Sequence, residues 1–102
     1  MTSQLEITPE AEKDIVTIAE NIRIQVGSAA ALNVLTQVKK HLKTLAEKPE
    51  AGRAGGCDGT REAIMAGLPY IAIYKQEKKS VLVVRVLHGP AERRKDGQQQ
   101  VF

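Results

Sequence analysis

The sequence predicts an α+β fold: an N-terminal strand and an antiparallel helical hairpin packed on a largely antiparallel β-sheet. Two helix-period apolar stripes broken by one glycine predict the hairpin, and three short apolar runs parted by turn residues predict the sheet. The length, 102 residues, suits one hydrophobic core and not two. A single domain over residues 1–102 is therefore expected, with a polar, flexible tail from about residue 95.

Each element follows in turn. "QLEI" reads as a short first strand. Thr8 is placed to cap a helix whose first residue, Pro9, needs no N–H partner, and Glu10 and Glu12 suit the positive end of its dipole. Ala11, Ile15, Ile18, Ala19, Ile22 and Val26 share one face before Gly27 ends the run. A second helix opens at Ser28, with Leu32, Leu35, Val38, Leu42 and Leu45 as its stripe, and "EKPEAG" stops it. Lys39, Lys40, His41 and Lys43 read as its wet face. Residues 49–59, "PEAGRAGGCDG", lack the order of a phosphate-binding loop and read as a flexible connection. Strands follow over residues 60–66, 69–75 and 80–88, joined as consecutive hairpins through Gly67-Leu68 and "QEKK". The tail "PAERRKDGQQQVF" reads as a helical turn and then disorder.

Composition narrows the function. No apolar run approaches the roughly 20 residues of a bilayer span, and "MTSQLEITPE" has no signal-peptide pattern, so a cytoplasmic, soluble chain without membrane contact is expected. Cys57 is the single cysteine, and no Cys/His cluster has metal-ligand spacing; no metal and no cofactor are expected. Up to Ala30, two cations face five carboxylates, a local charge of −3, which leaves +6 of the net +3 for the rest. That basic part suits phosphate or an acidic protein segment, or is simply solvated.

Strand period predicts what the sheet presents. Pairing Ile64 with Ile71 and Ile71 with Val84 gathers Ile64, Ile71, Ile73, Leu82, Val84 and Val86 on the face expected to cover the helices. Arg61 then falls opposite Tyr74, and Tyr70 opposite Arg85, on an open face. Each arginine either stacks on its tyrosine, worth ~0.5–1 kcal/mol, or the two guanidiniums bind phosphates or carboxylates. His88 has the parity of Val84 and reads as structural unless a polar partner lies within hydrogen-bond reach.

In order, "TPEAEKD", "GTRE", "GLPY" and "RVLHG" resemble the RelE/ParE superfamily of type II toxin–antitoxin toxins, over roughly residues 5–94. The resemblance implies a bacterial growth inhibitor neutralised by a cognate antitoxin whose acidic and apolar segment folds on binding, with operator DNA contacted only through the antitoxin. It also implies one of two activities. ParE-like members block DNA gyrase and are not enzymes; RelE-like members are ribosome-dependent endonucleases acting on mRNA. For cleavage, Arg61 and Arg85 could supply a cation, and Tyr74, Lys75, Glu62 or His88 a proton carrier. Ribonuclease members often carry a His or Tyr after the last strand, whereas "GPAERRKDGQQQVF" has no Tyr or Trp. The pattern is therefore similar to the ParE branch, with Arg61, Tyr70, Tyr74, Arg85, Arg93 and Arg94 expected to bind target or antitoxin. A non-toxic interaction domain is the third reading.

Overall fold

The computed structural model describes residues 4–54 and 59–88. Strand β1 (Gln4–Ile7) leads into helix α1 (Pro9–Gln25), and after a two-residue break helix α2 (Ser28–Glu47) runs back along it. Thr8 caps α1 as expected: its hydroxyl accepts from Ala11 N at 3.1 Å, and Pro9 occupies the first turn. Gly27 makes the break with φ +137°, a conformation that L side chains rarely adopt.

A 3-10 turn (Pro49–Ala51) and strand β2 (Arg53–Ala54) follow, then β3 (Arg61–Ile64), β4 (Tyr70–Gln76) and β5 (Ser80–His88). The expected α+β architecture is present. Five strands lie in the order β1-β5-β4-β3-β2, with β1 parallel to β5 and every other pair antiparallel. The stretch expected to be a flexible connection is ordered over its first part, because β2 pairs Arg53 with Glu62 and Ala54 with Arg61.

The helices cover the face of the sheet opposite to the one expected. Ala11, Ile18, Val38, Leu42 and Leu45 pack with Met65, Tyr70, Ala72, Tyr74, Val81, Val83 and Val86 in one core. The tyrosines therefore point inward, while Ile64 is 67 % exposed. Period-two reasoning separates two faces but ranks them by hydrophobicity, and here both faces are apolar. Four members of the expected helix stripes also lie outside that core: Ala19 and Leu35 are half-buried, and Val26 and Leu32 are exposed on either side of the Gly27 break.

The register between β4 and β5 also departs from expectation. Tyr74 pairs with Val83 and Ile73 with Arg85, so Val84 is skipped as a β-bulge. One extra residue reverses the parity of everything beyond it. Val86 thereby joins the tyrosine face, opposite Ala72. The ladder is also offset by two residues before the bulge, Tyr74 standing opposite Val83 where the expected register sets Val81, so that Tyr70 pairs with His88 instead of Arg85, Ile71 with Leu87 instead of Val84, and Arg85 with Ile73. The expected pairs Arg61 with Tyr74 and Ile64 with Ile71 are present.

Candidate functional site

The sheet places the expected residues in three separate groups. The first surrounds Tyr74, which is fully buried. Its hydroxyl donates to Pro49 O at 2.6 Å and accepts from Gly52 N at 3.0 Å. Arg61, directly across the β3–β4 ladder, donates from Nη1 to Gly52 O at 2.9 Å. Residues 49–52 are thus pinned to the sheet by one phenol and one guanidinium. A Cβ on Gly52 would lie 2.2 Å from the Tyr74 Oη, so this approach requires glycine. Burial pushes the Tyr74 phenol up, with the Gly52 N–H bond and the Arg61 charge acting against it and the Glu50 charge adding to it.

The second group joins α1 to β5. Arg85 grips Asp14 side-on, Nε to Oδ2 at 2.6 Å and Nη2 to Oδ1 at 3.0 Å, and Val86 N donates to the same Oδ2 at 3.0 Å. Strand β1 pairs with β5 only as far as Val83. Beyond that, α1 supplies the partners by side chain: Thr8 Oγ1 donates to Val84 O at 3.1 Å, and the Asp14 carboxylate accepts from Val86. Burial raises the Asp14 carboxyl, but the Arg85 and Val86 hydrogen bonds and the Arg85 charge outweigh it, holding it below the usual aspartate value.

In the third group, Tyr70 and His88 meet edge to face with ring centroids 5.0 Å apart. Tyr70 is buried, and burial pushes its phenol up. His88 has moved from the isoleucine parity to the tyrosine parity because of the bulge. Of the other proton-carrier candidates, Lys75 is exposed, and Glu62 is buried with Arg53 Nε 3.8 Å from its Oε1.

The expectation of an open Arg/Tyr face is thus corrected. Both tyrosines serve the core, Arg61 and Arg85 are engaged with the protein itself, and Tyr70 does not face Arg85. Arg93, Arg94 and the tail from about residue 95 lie outside the described residues, as does Cys57. Sequence reasoning missed Asp14 and Gly52. An aspartate in the second turn of a helix resembles any dipole-favoured acid, and its partner lies 71 residues away. Among the described residues no group of three or more His, Cys, Asp or Glu side chains could hold a metal ion. No helix among them is long and apolar enough to cross a membrane.

A two-helix hairpin on a mixed sheet whose first strand runs parallel to its last is the architecture of RelE/ParE-type toxins. The model of the family described as ParE toxin of type II toxin–antitoxin system, parDE, matches residues 5–91, and the chain belongs to that family. The protein Y4kP of Sinorhizobium fredii is 36% identical over 59 residues, which span 58% of this chain and 60% of that relative. Among solved structures, the chromosomal ParDE system of P. aeruginosa superposes with a TM-score of 0.79 at 21% identity, covering 85% of this chain and 96% of that one. The RelBE2 toxin–antitoxin complex of Mycobacterium tuberculosis gives 0.66 at 18% identity, covering 86% and 92%. The free E. coli RelE toxin, in a mutant form, gives 0.62 at 24% identity, covering 94% and 93%.

Proposed function

We propose that this chain is the toxin of a type II toxin–antitoxin pair, that it arrests growth by blocking DNA gyrase, and that it is not a nuclease. The match of the ParE family model along residues 5–91 is the observation that carries the reading. The cleavage candidates add support. RNA cleavage through a 2′-hydroxyl needs a base, an acid and a cation within reach of one phosphate. The Tyr74 hydroxyl is buried and committed to two backbone partners, Arg85 is held by Asp14, and His88 rests against Tyr70. These groups belong to three structural contacts rather than to one cluster.

The partner proposed is an acidic, partly apolar antitoxin segment, in keeping with the +6 charge after Ala30. Several matched structures are toxin–antitoxin complexes, among them those of the RelBE pairs. Expression of the intact chain in a bacterial host, with and without the adjacent reading frame, tests the reading. Growth arrest with lost plasmid supercoiling, intact mRNA and rescue by the neighbouring frame is expected. Codon-positioned mRNA cuts with normal supercoiling would move the chain to the ribonuclease reading, and unimpaired growth at confirmed soluble expression would remove both.

A further inference from the structure

The end of the sheet where β3 begins and β4 stops carries a polar hollow of about 350 Å³, lined by Gly59, Thr60, Arg61 and Gln76. Arg61 stands opposite Tyr74, so Gln76, two residues further along β4, projects from the same face. One Arg61 N–H goes to Gly52 O, which fixes the guanidinium and leaves its other donors to the hollow. A Cβ on Gly59 would meet no atom within 4 Å, so nothing crowds that part of the wall.

Cations follow it along the chain. Lys75, next to Gln76, is exposed on β4, and Lys78 and Lys79 are exposed in the β4–β5 turn. Glu77 N donates to Ser80 O at 2.8 Å to close that turn, and Gln4 N donates to Lys79 O at 2.9 Å to hold it to β1, so these lysines rise from a fixed backbone. The carboxylates of this end are engaged: Glu77 Oε1 accepts from Ser80 Oγ at 3.2 Å, and Glu62, on the face away from Arg61, is buried beside Arg53. Asp58 lies outside the described residues. Among the described residues of the lining no side chain is apolar or acidic. The apolar anchor of a protein partner would find no floor here. A phosphate would take the guanidinium fork and the amide as donors and the lysines as point charges.

We propose that this end of the sheet grips the phosphate backbone of duplex DNA, with Arg61 and Gln76 seating one phosphate and Lys75, Lys78 and Lys79 its neighbours. The contact is to phosphate and therefore indifferent to base sequence. The phosphate chemistry stands on the site alone. Duplex DNA as its source rests on the gyrase reading above, since gyrase works on duplex DNA and a protein that blocks it meets that duplex.

Fluorescence anisotropy of two labelled DNA duplexes of unrelated sequence, titrated with the full-length chain over a series of salt concentrations, tests the proposal. Equal affinity for the two sequences is expected, with a log–log salt slope of about −3.6, at ~0.9 per phosphate for four cations. Lys78→Ala combined with Lys79→Ala, in the exposed turn, should flatten the slope by about 1.8 and weaken binding at least tenfold. Lys40→Ala combined with Lys43→Ala, on α2, should change neither. Arg61→Ala should also weaken binding at least tenfold, and the turn lysines decide the matter if that variant does not fold. No measurable binding, a slope untouched by the turn lysines, or displacement of the duplex by polyglutamate of equal charge would overturn the proposal. Tighter binding to single-stranded RNA of the same length would overturn the duplex assignment. DNA binding by a chain that leaves purified gyrase unimpaired would keep the phosphate grip and remove the gyrase reading; gyrase inhibition without DNA binding would do the reverse.

Discussion

Tyr74 and Arg85 flank the same β-bulge, yet the protein holds them by opposite physics. Tyr74 is dry and neutral, and its hydroxyl closes two backbone bonds that would otherwise be buried and unpaired. Arg85 keeps 48 % of its side chain exposed and is held by charge, against a carboxylate that is 17 % exposed. The first contact is geometric and insensitive to salt; the second is electrostatic and open to both salt and acid. Tyr74 stands in for missing main-chain partners, and Arg85 holds the carboxylate of Asp14, which does the same for Val86 N; in the sequence Tyr74 and Arg85 look like parts of one reactive face.

The contrast orders the expected effects. Tyr74→Ala should be the most damaging change, costing ~3–5 kcal/mol as large aromatic truncations do, read as a lower denaturant midpoint. Tyr74→Phe should cost ~1–3 kcal/mol by leaving the Gly52 N–H and Pro49 carbonyl unpaired; a neutral result would break the account of the phenol as a pin. Gly52→Ala should cost a similar ~1–3 kcal/mol by overpacking. Combined with Tyr74→Phe it should cost less than the sum, because the hydroxyl that blocks the new methyl is gone. Additivity in that double-mutant cycle would show that the two groups do not share one contact.

Asp14→Asn should cost less, ~1 kcal/mol or below, and the loss should shrink in high salt. Its pH dependence has a definite sign. The folded carboxyl is held below its ordinary value, so its contribution is complete above the unfolded value of ~3.9 and is lost as pH falls through the folded one. Acid unfolding followed by circular dichroism should therefore show wild type and Asp14→Asn differing at neutral pH and converging in strong acid. A difference that persisted there would assign the contact to packing rather than charge.

The elements were legible because their signals are local. Thr8-Pro9 starts α1, Gly27 ends the first run, and the bounds of β1 and β5 coincide with runs visible in the sequence. The site was less legible for two physical reasons. A strand that is apolar on both faces, as in "VLVV", does not say which face the helices cover. A bulge at Val84 leaves no mark in composition, yet it moves Arg85, Val86 and His88 to the opposite parity. Strand period sets the tyrosines on the face opposite the isoleucines without saying that this is the covered one, and a phenol buries its ring readily once its hydroxyl finds a backbone partner.

If the chain acts on gyrase, as proposed, Tyr74 has no part in chemistry. Supercoiling by purified gyrase, measured against increasing amounts of wild-type and Tyr74→Phe protein at a temperature where both are folded, tests it most directly. Inhibition by both, with half-inhibitory concentrations within about threefold (under ~1 kcal/mol), is the predicted result. Unimpaired supercoiling, alongside mRNA cleavage on translating ribosomes that Tyr74→Phe abolishes, would contradict it.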